Sequence, residues 1–167
     1  RSPCITELAV FRAFSGLLAT ARDQHVIIDT APTGHTLLLL DVTGAYHRQA
    51  MRSYGDRAGH VVTPLMRLQD PGFSRLLIVT LAESTPVAEA SALQDDLRRA
   101  GVEPFGWVIN ASLAAAGTRD PLLARRAALE QPHIHRVATG LARRAWLTPW
   151  DPAAVLDMEA PLVAAIS

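Results

Sequence analysis

Hydrophobic positions along the chain follow two rhythms. Between residues 2 and 22, Val10, Phe14, Leu17, Leu18 and Ala21 recur at i, i+4, i+7, i+8 and i+11, the period of one helix face. Ser2 suits the N-cap of that helix and Pro3 its first turn. Short apolar runs then take over. Val26-Ile27-Ile28 stops at Asp29, residues 75–81 read Arg-Leu-Leu-Ile-Val-Thr-Leu, and residues 106–110 read Gly-Trp-Val-Ile-Asn. Such runs predict strands buried on both faces, as in a parallel sheet. Ala145-Trp146-Leu147-Thr148 is a weaker fourth strand. Helical stripes fill the intervals. Thr85-Pro86 opens one, with Val87, Ala90, Leu93, Gln94 and Leu97 along it and Gly101 as its stop. Asp120-Pro121 opens another and Asp151-Pro152 a third, while His133 and His135, beside Pro132, read as a loop or helix junction. Alternating strand and helix predict an α/β fold with an open parallel sheet. In such sheets ligands bind beyond the carboxyl ends of the strands.

Composition narrows the chemistry. The 167 residues are 49% hydrophobic, enough for a sizeable core in a single domain. Sixteen basic residues balance sixteen acidic ones, which argues against a general nucleic-acid surface, since that needs an excess of cations. Every basic residue is Arg. Without Lys the chain holds no complete phosphate loop of the G-x-x-x-x-G-K-[ST] type. One Cys rules out an internal disulfide framework and a multi-Cys zinc site. No apolar run reaches the roughly 20 residues of a membrane span. No signal peptide is recognisable either, so a cytoplasmic location is expected.

The richest strand end is the first. Asp29-Thr30-Ala31-Pro32-Thr33-Gly34-His35-Thr36 packs three hydroxyls, a Gly and a His behind a carboxylate. A strand-tip Asp is suited to Mg2+, directly or through water. Small residues let backbone N–H groups approach a phosphate, and the Gly permits a rearrangement when that phosphate leaves. Residue chemistry alone is equally compatible with a plain strand-to-helix turn punctuated by Pro and Gly.

As a string, residues 29–36 resemble the signature of the arsenical pump-driving ATPases, members of the deviant-phosphate-loop ATPases. The resemblance extends through Leu37-Leu38-Leu39-Leu40-Asp41, Thr43-Gly44-Ala45-Tyr46-His47-Arg48 and Leu68-Gln69-Asp70-Pro71. It continues in residues 79–87 and 106–110, covers most of residues 1–150 and weakens after that. The match is to the C-terminal part of the second of two homologous halves. The resemblance implies a deviant-phosphate-loop sheet with helices on both faces, lacking its first strand. That gap would leave a sheet edge exposed. It implies ATP and Mg2+ as ligands, with Asp29 beside the Mg2+ and its water shell. Thr30, Thr33, Gly34, His35 and Thr36 would form the segment that senses ATP against ADP. Asn110 would read the adenine, an amide being able to donate and accept at a purine edge. Glu83, at the end of the neighbouring strand, matches a nucleotide-site glutamate of the tail-anchored-protein targeting relatives.

Cys4 would lie in the first turn of its helix, where the dipole favours thiolate, a soft ligand for As(III) or Sb(III). The plain alternative is a small buried hydrophobe. One thiol cannot complete a tight three-coordinate site. By the resemblance, Ser2, Cys4 and His35 belong to a metalloid site, with the remaining ligands outside this chain. The metalloid would then be an allosteric activator or the transported ion. The implied partners are the missing N-terminal half or a second subunit, an arsenite-efflux membrane subunit that holds the ATPase at the membrane, and an arsenite metallochaperone. In the family the phosphate loop lies far upstream of the signature. The 167-residue chain alone is therefore expected to be inactive as an ATP hydrolase. Two other readings stand beside this one. A tail-anchored-protein targeting ATPase needs a large Met-rich groove. The segment between Asp41 and Leu76 is short for such a groove, and the chain has three Met in all. A non-catalytic regulatory half that binds nucleotide or metalloid fits the same residues.

Overall fold

The computed structural model describes residues 3–21, 25–29, 33–54, 62–151 and 164–166. The chain divides into two compact units, one of residues 1–75 with 98–102 and one of residues 76–97 with 103–167.

The regular elements described in the first unit are helices. Helix α1 spans Pro3–Thr20, α2 spans Thr33–Tyr54 and α3 spans Pro64–Gln69. Phe14 and Leu18 of α1, Ala50 of α2 and Leu65 of α3 are buried. The apolar stripe read near the start of the chain is thus a helix, in which Phe14 and Leu18 are core and Leu17 is 43% exposed. Thr63 caps α3, its hydroxyl accepting from Met66 N–H at 3.4 Å. The same hydroxyl meets His47 Nδ1 at 2.8 Å, so α2 and the α3 cap share one part-buried polar contact. The guanidinium of Arg67 in α3 donates to the Leu18 carbonyl at the end of α1.

One expectation fails in this unit. Residues 25–29 form no strand; Ile27 is 96% exposed and Asp29 is exposed. A helix satisfies its backbone within its own segment, but a parallel strand exists only through bonds to neighbouring strands. The apolar run specifies a strand-competent segment and cannot itself supply the neighbours.

The second unit carries the sheet. Strands β1 (Leu77–Thr80), β2 (Gly106–Ser112) and β3 (Ala145–Pro149) are parallel in that order, and β4 (Ala164–Ile166) pairs antiparallel to β3. The three parallel strands are those read from the sequence. The antiparallel β4 has no counterpart in that reading. Helix α4 (Ser84–Arg99) joins β1 to β2. Short α5 (Leu113–Ala116), α6 (Pro121–Arg136) and a π-helical turn (Val137–Leu141) join β2 to β3. The Asp120 carboxylate caps α6, accepting from Leu122 and Leu123 N–H at 2.9 and 3.0 Å. After α4, Gly101 turns the chain at φ +74°, a left-handed conformation suited to Gly. Pro132, His133 and His135 lie inside α6, just before the π turn, so the expected junction is a helix end and not a loop. Asp151-Pro152, read as a third helix start, runs out of the described residues at Pro152.

Strand order decides which face is covered. β1, β2 and β3 advance in one direction, so right-handed crossovers place both connections on the same face. Ile78, Trp107 and Ile109 are fully buried on that face. Trp107 Nε1 donates to Gln94 Oε1 of α4 at 2.8 Å, and Gln94 Nε2 donates to the Leu141 carbonyl at 3.1 Å. One buried amide therefore ties sheet, α4 and π turn together. On β1 the alternate residues Leu77 and Val79 remain exposed, as does Leu81 just beyond it, and among the described residues β1 is the sheet edge. Within the described residues of this unit both crossovers lie on one face of the sheet.

Candidate functional site

A cavity of about 320 Å³ opens at the carboxyl ends of β1 and β2. Its wall includes Leu81, Glu83, Asn110, Ala111, Arg126 and Trp150. Its position obeys the rule for open parallel sheets. Its volume is at the lower end of the roughly 300–1,000 Å³ usual for small-molecule sites. The sequence reading assigned Glu83 and Asn110 to one site, and both line this cavity although a whole crossover separates them along the chain.

Each side chain is held from a different element. Glu83 follows β1 and its Oε1 accepts from Arg126 of α6 at 3.2 Å, both side chains being more than half exposed. Solvent screens such a pair, so it positions Arg126 at the rim more than it stabilises the fold. Asn110 ends the regular part of β2. The β2–β3 register shifts between Ile109 and Ser112, and Ala111 inside the shift has φ 53°. A non-Gly residue in the left-handed region is uncommon and costs energy. The Thr148 hydroxyl of β3 meets this distortion. It accepts from Ala111 N–H at 3.2 Å and donates to Asn110 Oδ1 at 2.7 Å.

The floor is set by Glu130 of α6, which is buried. Its Oε2 accepts from Ser112 Oγ at 2.7 Å and from Ala114 N–H at 3.0 Å, and its Oε1 accepts from Leu113 N–H at 3.0 Å. Three donors satisfy the carboxylate, which in turn fixes the start of α5. Trp150 donates its backbone N–H to the Ser112 carbonyl at 2.9 Å, and the residue is 46% exposed. The cavity thus offers apolar walls, an exposed ring, one amide and an acid–base pair. That combination accommodates a flat, partly polar heterocycle.

The other expected residues fall elsewhere. Asp29 is described and exposed in the first unit. Thr33, Gly34, His35 and Thr36 form the first turn of α2, and Cys4 lies in the first turn of α1. Thr30 and Ser2 lie outside the described residues. Sequence reading missed Arg126, Ala111, Thr148 and Trp150. Arg126 reads in the sequence as part of a plain exposed helix face. Extending the strand-end rule to the weak fourth run would have singled out Thr148 and Trp150.

Residues 1–67 match the family model described as Anion-transporting ATPase. The chain is 55% identical over 149 residues, 89% of its length, to the arsenical pump-driving ATPases of Acidiphilium multivorum and Escherichia coli. A putative arsenical pump-driving ATPase of Halobacterium salinarum is 26% identical over 169 residues, 95% of the chain and 26% of that relative. The chain spans about a quarter (25%) of the length of the Acidiphilium and Escherichia proteins.

Proposed function

From its homology to the arsenical pump-driving ATPases over 89% of its length, we propose that the chain is the C-terminal part of an ATPase half. The whole protein couples ATP hydrolysis to arsenite or antimonite efflux through a membrane partner. In this reading the second unit supplies the adenine side of the nucleotide site. The observation that carries it is the convergence of Glu83 and Asn110 on one cavity at the carboxyl ends of adjacent parallel strands. The amide of Asn110 matches the donor and acceptor of an adenine edge. No helix of the described residues is long and apolar enough to cross a membrane.

Asp29 is the magnesium-side carboxylate in this reading. Among the described residues no group of three or more His, Cys, Asp or Glu gathers to hold a metal. One exposed carboxylate suits Mg2+ that arrives with phosphate and water, the mode Mg2+ favours. The bound ion supplies charge neutralisation at the phosphates. Thr30, together with Thr33, Gly34, His35 and Thr36 in the first turn of α2, senses the γ-phosphate. Cys4, His35 and Ser2 contribute to a metalloid site completed by residues beyond this chain. His35 belongs to both groups, so metalloid and nucleotide bias each other reciprocally.

The nucleotide assignment is tested by Asn110→Ala in the full-length protein. ATP affinity falls about tenfold, the scale of one or two lost hydrogen bonds to a buried base. Unchanged affinity removes Asn110 from the site. The metalloid assignment is tested by Cys4→Ser. Metalloid stimulation is lost while basal turnover persists, and intact stimulation refutes it.

A further inference from the structure

The hydroxyl of Thr148 can be followed to a consequence for base selection. It accepts from Ala111 N–H at 3.2 Å, so its single proton needs an acceptor of its own. The Ile109 carbonyl lies at 3.5 Å, the outer limit of a hydrogen bond, and Asn110 Oδ1 lies at 2.7 Å, the usual O–H···O distance. The proton therefore goes to Oδ1. This fixes which end of the Asn110 amide is oxygen. The Nδ2 group has no hydrogen-bond partner among the described residues, and Asn110 lines the cavity.

We infer that Thr148 is a positioning residue that locks the Asn110 amide in the orientation that selects adenine over guanine. The inference rests on the reading of Asn110 as the base-contacting residue. A carbonyl oxygen has two acceptor positions, so Oδ1 bound to Thr148 still accepts one further donor, while Nδ2 still donates. Adenine presents an amino donor at C6 beside a ring-nitrogen acceptor. Guanine presents the reverse at the same edge, a carbonyl acceptor beside a ring N–H. In a fixed pose of the base the two amide orientations therefore favour opposite purines. A free amide rotates to suit either, at the cost of one torsion. A held amide cannot do so without breaking the 2.7 Å bond to Thr148 and leaving the hydroxyl proton only the Ile109 carbonyl at 3.5 Å.

The left-handed Ala111 supports the same assignment. Its strained backbone turns its N–H onto the oxygen that orients the amide, and that distortion sits in the cavity wall. The side chain of Thr148 is buried and reaches the cavity through its bonds to Asn110 and the Ala111 N–H. It acts through the amide and touches no ligand.

The test compares ADP and GDP dissociation constants by calorimetry in the full-length protein carrying Thr148→Val, Thr148→Ala, Thr148→Ser or Asn110→Ala. Diphosphates keep turnover out of the measurement. Thr148→Val keeps the shape and removes the hydroxyl. The ratio of GDP to ADP dissociation constants should fall at least threefold in Thr148→Val and return to within twofold of wild type in Thr148→Ser. A loss of packing alone would lower the melting temperature and weaken both nucleotides together, leaving the ratio unchanged. That outcome overturns the inference. Thr148→Ala serves the same comparison should the valine variant fail to fold. If Asn110→Ala shifts the ratio and neither hydroxyl-deleted variant does, Thr148 is not the positioning group and the adenine reading stands. If Asn110→Ala leaves the ratio unchanged, the reading of Asn110 fails and this inference fails with it.

Discussion

The two units of this chain answer the same sequence rules in different ways. In the first, three helices bury Phe14, Leu18, Ala50 and Leu65, and the β-branched run at 26–28 forms no strand. In the second, equally short apolar runs become parallel neighbours, and their ends converge on a cavity. The difference is one of partners. Residues 77–80, 106–112 and 145–149 lie one crossover apart, and each crossover brings a helix that packs on the sheet. Residues 26–28 have the composition of a strand and no pairing strand among the described residues. Hydrophobic pattern alone therefore specifies a capacity, which strand pairing must realise.

One substitution made in both regions sharpens the contrast. A Cβ on Gly106 in β2 would overlap Trp146 Cζ3 and meet the Arg144 carbonyl at 2.9 Å. The Trp146 ring is stacked on Phe105 with centroids 6.0 Å apart, and the guanidinium of Arg144 lies over the Phe105 ring, 4.5 Å from its centroid. Neither neighbour yields cheaply. Gly106→Ala is expected to destabilise the sheet unit by about 1–3 kcal/mol, the range of overpacking. Faster hydrogen exchange of the β2 and β3 amides checks this, and unchanged protection would show that the strands are looser than their close approach implies.

The same change in the helical unit has the opposite sign and a smaller size. Gly16 lies inside α1, and a Cβ there meets nothing within 4 Å. Gly16→Ala removes unfolded-state freedom and should stabilise α1 by about 0.5–1 kcal/mol. Slower exchange of the α1 amides is the readout. Destabilisation would mean that another surface packs against that position.

Much of the fold was legible because its signals are local. The Asp120-Pro121 start of α6 and the Gly101 stop after α4 depend on backbone geometry within a few residues. The three parallel strands were legible because their runs are apolar throughout. Of the site, Glu83 and Asn110 could be read as strand-end residues. Arg126, 43 residues from Glu83, and Thr148, 38 residues from Asn110, could not. Their side chains match ordinary surface and strand positions until the crossovers bring them together. Glu130 gave no signal either. It sits in a polar helix and is buried only because the start of α5 presents three donors to it.

The sequence by itself determined most element types, their order and the absence of a lysine-bearing phosphate loop. These follow from side-chain period, local backbone restrictions and residue identity. Tertiary structure decided which apolar runs pair and which sheet face is covered. It also placed one buried hydroxyl on β3 where it can orient an amide on β2. Pairing and orientation depend on atoms far apart along the chain, and a linear pattern does not encode the distance between them.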